Sequence, residues 1–253
     1  MPFRPVKAEK LSLAVVRQIE DLILRGILRP GERLPSERDL AERFDVSRPS
    51  LRDALGHLQD NGLVSSKAGA GIYVGDVLGS AFSPALQDLM SRHETAVDDY
   101  LAFRRDMEGL AAARAAQTGS ATDLAVVNSV YEQMVSAHQK RDKDREAALD
   151  AQFHMAIVEA SHNVIMLHMM RSMYELLQSG VFYNRQVMFG QSTTRDILLE
   201  QHRDINIALQ AKDPQQARNA VETHLDYVRK CLRDSRRAEA NENIARLRLD
   251  HQG

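Results

Sequence analysis

The chain has 253 residues, 27% of them charged and 43% apolar, with a formal net charge of −2 at pH 7. That balance excludes a disordered chain and a polybasic protein that would bind any polyanion, and the length suits one large domain or two of ordinary size. Residues 1–75 hold 12 Lys+Arg against 10 Asp+Glu and the remainder 21 against 25, so any nucleic-acid reading must rest on where the charges fall, not on their sum.

In chain order, "LSLAVVRQIEDLILRGIL" sets Leu11, Val15, Ile19, Leu22 and Ile23 at helical spacing, and Gly26 offers a stop. After the turn "RPGERL" a second helix opens at Ser36, with Leu40, Ala41 and Phe44 inward. "FDVS" breaks it, Ser47 is a natural N-cap, and Pro49 fits the first turn of a third helix. That helix carries Leu51, Ala54, Leu55 and Leu58 on one face and stops at Asn61-Gly62. "LVSSKAGAGIYV" then predicts a β-hairpin with a glycine-rich tip.

Three helices and a hairpin make a winged helix-turn-helix, whose third helix must enter the major groove of DNA with a polar or basic leading end. Ser47, Arg48 and Ser50 surround that end, where free backbone N–H groups favour phosphate, and Arg52 follows Arg48 by one turn. An arginine offers the paired donors that suit guanine O6 and N7. Arg38 lies near the start of the preceding helix, and Lys67 and Gly69 sit at the wing tip. The plainer alternative is a solvated face on which Arg48 or Arg52 pairs with Asp45 or Asp53.

"LRPGERLPSERDLAERFDVSRPSLRDALGHLQDNGLV" with "GAGIYV" resembles the N-terminal domain of the GntR superfamily of bacterial transcription regulators over residues 11–74. The resemblance implies that Arg38, Arg48, Arg52 and Gly69 contact operator DNA and that Ser47 and Ser50 touch phosphates. Ala68 stands where the family's fatty-acid regulator has a wing-tip histidine.

Residues 76–95 are expected as a linker that becomes helical toward "ALQDLM". Helices are predicted near 97–117, 122–139, 143–161, 163–179, 192–211 and 214–237, followed by a charged, weakly periodic tail over 238–253 that is expected to fray. The domain reading is therefore a winged helix-turn-helix over 1–75, a linker over 76–95, a helical effector and dimerisation domain over 96–237, and a tail. The fold class is mainly α, with an all-α bundle of about six to seven helices in the second half.

Asp150 and His154 are one helical turn apart. His202 lies on the stripe Leu198, His202, Ile205, Leu209, and His224 on Val221, His224, Val228, Cys231. Inward histidines on two helices and a carboxylate–histidine pair on a third can build a metal site inside a bundle, although each histidine alone could equally be a hydrogen-bonded core or surface residue.

"DYLAFRRDMEGLAAARAA", the run D-x-x-F-H at Asp150–His154, and the later His202 and His224 resemble the FCD effector domain of the FadR branch of the same superfamily, over roughly residues 96–232. The resemblance implies a divalent ion on Asp150, His154, His202 and His224 and argues against a long-chain acyl-CoA ligand. Zinc is the first choice, with nickel, manganese or iron also suited to nitrogen and oxygen donors. Arg104, in the pattern Arg104–Glu108, is the candidate to neutralise a small carboxylate effector such as pyruvate, lactate or glycolate; the alternative is an i,i+4 pair with Glu108. Arg171, Tyr183 and Arg185 are further pocket candidates.

The single Cys231 suits a reducing compartment, no run approaches the ~18 apolar residues that span a bilayer, and "MPFRPVKAEK" has no apolar leader core. The expectation is a cytoplasmic homodimeric regulator, not an enzyme, that binds an inverted-repeat DNA operator, takes a small carboxylate and has no membrane partner. The rival readings are a metal-dependent enzyme acting on small organic acids and a regulator whose metal is only structural.

Overall fold

The computed structural model describes residues 10–67, 71–76, 83–178 and 192–252. The chain divides into two compact units, Met1–Ser80 and Ala81–Gly253.

The first unit has three helices, α1 (Leu11–Leu24), α2 (Glu37–Arg43) and α3 (Arg48–Asp60), and two antiparallel strands, β1 (Val64–Lys67) and β2 (Gly71–Val74), with Val64 opposite Val74. The expected punctuation is in place. Ser36 and Ser47 cap α2 and α3 by accepting from the amides of Asp39 and Ser50, and Gly62 takes the left-handed conformation (φ 71°) after α3. Leu34, packed below the wing, donates its amide to Ile72 O, which adds a short third rung to the hairpin. Val15, Ile19 and Ile23 of α1 bury against Leu40, Leu51, Leu55 and Leu58, whereas Leu11, expected on the same stripe, is 61% exposed at the helix start.

The second unit is all α among the described residues. It runs α4 (Pro84–Ser91), α5 (Glu94–Thr118), α6 (Ala121–Lys140), α7 (Lys143–Ala160), α8 (Val164–Gln178), α9 (Ser192–Gln210) and α10 (Pro214–Gln252). Helix α4 occupies much of the stretch expected as linker. Ser120 and Asp123 form a capping box at the start of α6, Arg141 ends it in a left-handed conformation, and Asp142 caps α7. At the α9–α10 joint Lys212 is left-handed (φ 53°), and Asp213 accepts from the amide of Gln216 while Pro214 starts the helix.

Helix α5 lies between α7 and α10. Asp98 on α5 takes Arg229 of α10 in two hydrogen bonds of 2.7 and 3.1 Å and is also bound by Arg233; Arg105 reaches Glu222 and Asp226. Apolar layers above and below the middle of the bundle (Leu101, Met170, Val228; Leu149, Phe153, Ile205, Val221) leave the polar cluster described below between them.

The tail expected to fray instead continues α10 to Gln252, with residues 237–251 exposed all round. Its stripe is weak because it has no core to face. Good helix formers and i,i+4 pairs such as Arg246–Glu242 (3.1 Å) supply local support. Ending the chain after Arg237 should therefore move the thermal midpoint by less than about 2 °C, whereas Leu225→Ala, 1% exposed, should cost about 2–5 kcal/mol. Denaturant and thermal melts of the two variants check this.

Candidate metal centre and DNA-reading surface

The inward faces of α7, α9 and α10 carry a few polar residues among apolar ones. Asp150 and His154 sit between Leu149, Phe153 and Ile157; His202 follows Leu198 and precedes Ile205; His224 is flanked by Val221 and Leu225. The structure brings these four together: one donor atom from each lies within 4.8 Å of every other, and all four residues are buried. His202 Nε2 is 3.4 Å from His154 Nε2 and 3.2 Å from Asp150 Oδ1, and His154 Nε2 is 3.8 Å from Asp150 Oδ1.

The outward nitrogen of each ring is already engaged. His202 Nδ1 donates to Leu198 O at 2.7 Å and His224 Nδ1 to Gln201 Oε1 at 3.1 Å. His154 Nδ1 lies 2.7 Å from Glu108 Oε2, a close contact in which Oε2 has no donor in good hydrogen-bond geometry. A carbonyl or carboxylate oxygen can only accept, so the proton of each neutral ring sits on Nδ1 and the Nε2 lone pairs face one another. Lone pairs and a carboxylate gathered in this way repel unless a cation lies among them, and donor spacings of roughly 3–3.4 Å are those of imidazoles sharing one ion at ~2.1 Å. The residues present therefore fit a divalent metal. Burial pushes the His224 imidazole well below its ordinary range, with His202 and His154 adding to the effect. Burial also lowers His154, against the pull of Glu108. Both shifts favour neutral rings at pH 7, the form in which an imidazole can bind a metal.

Glu108 links this cluster to Arg104. Arg104 Nε donates to Glu108 Oε1 at 2.6 Å, Tyr174 Oη donates to the same oxygen at 2.9 Å, and Arg104 Nη2 donates to Tyr174 Oη at 3.0 Å. Burial alone would raise the Glu108 carboxyl, but Arg104 and His154 overcome it and hold it far below the usual carboxylate range. The i,i+4 pair is therefore present, with both side chains 2% exposed, and the Arg104 charge is felt at His224. Arg171 is engaged by Glu159 at 2.9 Å. Tyr183 and Arg185 lie outside the described residues.

A cleft lined by Met134, His138, Glu146, Arg195, Leu199 and His202 reaches the buried cluster from the side of α6 and α9. Arg195 closes part of it, donating through Nε to Glu146 Oε2 at 3.0 Å and through Nη2 to His138 O at 3.0 Å. Glu108 was visible in the sequence only as a partner for Arg104. Gln201, Glu146 and Arg195 had no local signal, because their partners come from other helices.

In the first unit, Ser47 and Ser50 meet at the N-terminus of α3, their hydroxyls 2.9 Å apart. Arg48 is exposed and makes no ion pair with a described residue, and the same holds for Arg43. The side chain of Arg38 is 81% exposed, with Asp39 3.7 Å away. Arg52 pairs with neither Asp45 nor Asp53; its Nε donates to Glu37 Oε2 at 2.8 Å. Lys67 stands with Nζ 4.7 Å from the Tyr73 ring centre. Ala68 and Gly69 lie outside the described residues.

The family description "Bacterial regulatory proteins, gntR family" matches residues 11–74, and that of the FCD domain matches residues 99–227. The chain belongs to the GntR family of transcriptional regulators, in its FadR-type branch. It is 32% identical over 251 residues to an Escherichia coli K12 protein whose name ties it to regulation of the L-lactate dehydrogenase operon, covering 97% of this chain and 96% of that one. It is 31% identical over 223 residues to the Glc operon transcriptional activator of the same strain, covering 87% and 88%. Among solved structures, Streptococcus agalactiae GntR has the same fold, with a TM-score of 0.53 and 22% identity over 87% of this chain and 99% of that one. The winged head and helical FCD unit of this GntR regulator are thus as the sequence predicted, and its relatives are regulators and not enzymes. No helix among the described residues is long and apolar enough to cross a membrane.

The neutral histidines make the stability of the metal-free regulator depend on pH. His154 and His224 have folded values below the ~6.5 of an unfolded chain, so below that pH the unfolded state binds protons that the folded state refuses. Stability is fully present above about pH 6.5 and is lost as pH falls, with a slope of at most about 1.4 kcal/mol per pH unit from His224, the more strongly depressed ring, and less from His154. Urea titrations in chelator between pH 8 and 5.5 measure this slope, and His224→Gln should remove about one proton's share of it. A flat profile would mean that the rings are not buried neutral.

Proposed function

We propose that this chain is a homodimeric regulator that reads an inverted-repeat operator and is controlled by a small carboxylic acid bound beside a divalent metal in its FCD domain. The observation that carries the reading is the convergence of one donor atom from each of Asp150, His154, His202 and His224, with each ring's Nδ1 beside a residue outside the cluster. Asp150, His154, His202 and His224 would hold the ion, zinc first, with nickel, manganese and iron also suited to the donors. The ion would supply positive charge and, where it takes more than these four donors, would leave room for a carboxylate to join them. Glu108, Leu198 and Gln201 keep the imidazoles turned inward. Arg104, paired with Glu108, is close enough for its charge to be felt at His224, and a narrow cleft beside Arg195 reaches His202. The name of the relative tied to the L-lactate dehydrogenase operon supports a short hydroxy or keto acid as the effector class.

On the DNA side, Arg48 and Arg52 on α3 are assigned to base edges, with Arg38, Lys67 and Gly69 beside them and Ser47 and Ser50 at phosphates. Two copies are needed to match the two halves of an inverted repeat, and work on DNA places the regulator in the cytoplasm. Control follows if the acid binds the DNA-competent and incompetent states unequally; DNA then changes effector affinity by the same factor.

Thermal-shift measurements on metal-stripped protein test the sensor half. Zinc, nickel or manganese at 100 times its dissociation constant should add about 2.7 kcal/mol, and two- to six-carbon carboxylates should add more only when metal is present. His202→Ala and His224→Ala should abolish both gains. If carboxylate affinity survives in these variants while the melting point falls, the metal is a structural staple only. Steady turnover of an organic acid by the metal-loaded chain would revive the enzyme reading.

For the head, a preferred site is first selected from randomised duplexes with the full chain. Arg48→Ala should lose that preference and keep the fold and the carboxylate response. Unchanged preference would remove Arg48 from the reading surface.

A further inference from the structure

Glu37 is an acid in the middle of a surface assigned to DNA. It is the first residue of α2, next to Arg38, and it reaches across the turn of the helix-turn-helix to α3, where its Oε2 accepts from Arg52 Nε at 2.8 Å. The two side chains are 34% and 63% exposed, so the pair contributes little to holding the helices together. That task belongs to Leu40, Ala41, Leu51 and Leu55. A negative charge here also weakens attraction to phosphate. Helix-start stability explains an acid at this position, but neither it nor general DNA affinity explains why the carboxylate reaches across to Arg52.

We infer that Glu37 is a positioning residue that sets base specificity by holding Arg52. Glu37 is itself fixed, because it lies in the first turn of α2 behind the Ser36 cap, where the positive end of the helix favours a carboxylate. It occupies only the Nε edge of the guanidinium, and no described residue engages the two terminal nitrogens. The terminal edge is therefore offered end-on, with its two donors in the fixed fork that matches guanine O6 and N7. Arg38 and Arg48 have no comparable tie to a neighbouring helix, so their aim is not set before DNA binds. The pair divides labour among the arginines: one is aimed by a neighbouring helix, the others are not.

This inference rests on Arg52 reading a base, and the experiment separates the two claims. The full chain selects a site from randomised duplexes, and fluorescence anisotropy then measures the wild type, Arg52→Ala, Glu37→Gln and Glu37→Ala. The ligands are every single-base variant of that site and a random-sequence duplex. Arg52→Ala identifies the base pair it reads. At that base pair, and not elsewhere, both Glu37 variants should lose roughly five- to tenfold of discrimination. Their affinity for the random duplex should rise and its salt dependence steepen, since one repelling charge is gone. A fall in affinity for both kinds of DNA would make Glu37 merely structural. A rise for both with discrimination intact would make it merely repulsive. Either result overturns the inference while leaving Arg52 as a reader. If Arg52→Ala keeps every base preference, the assignment of Arg52 fails and this inference fails with it.

Discussion

Three imidazoles and the carboxylates of Asp150 and Glu108 meet inside the helical unit, and the way their protons are distributed constrains everything around them. His202 and His224 give their Nδ1 protons to acceptors behind them and His154 sets its Nδ1 against Glu108, which turns the opposite ring nitrogens inward. An unpaired polar atom at this depth is costly, and a half-satisfied polar network is worse than an apolar core. The bundle must therefore bring α5, α7, α9 and α10 to one point in a fixed rotation. The ion pair of Arg104 and Glu108, clasped by Tyr174, serves that requirement from the fourth side. Removing either partner of such a pair strands a buried charge at about 3–5 kcal/mol.

The head shows how a chain with a slightly acidic total can carry a surface suited to DNA. Its apolar residues form one small core, and Arg38 and Arg48 stand in solvent with little local neutralisation. Arg52 is the exception, and its partner comes from the neighbouring helix and not from the adjacent acids. Asp53 is its immediate neighbour in sequence and so points elsewhere on the helix, against His57 at 4.0 Å.

Much of this was legible before any coordinates. Helix limits in the head are written in Ser36, Ser47, Pro49 and Gly62, residues whose local chemistry acts without tertiary help. The four clustered donors stood out because each interrupts an apolar stripe at helical spacing, a placement that demands a partner. What spacing could not say is which helices meet. The contacts of His154 with Glu108, 46 positions earlier, and of His224 with Gln201 depend on packing alone. The end of α10 differs from its expected fraying for the converse reason. Periodicity reports burial, and a helix with no core beneath it leaves no stripe, although its composition favours helix throughout.

The joint between α9 and α10 has a consequence for how this protein can vary. Only Ala211, Lys212 and Asp213 separate the two helices, and each is committed to a stop or a cap. His224 thus keeps its bearing by counting residues from Asp213. One residue inserted or deleted between them would swing the ring by about 100° and slide it about 1.5 Å, turning it out of the cluster with its chemistry unchanged. Beyond Arg237 the same helix has no such phase to keep, so length changes are tolerated there and forbidden a few turns earlier.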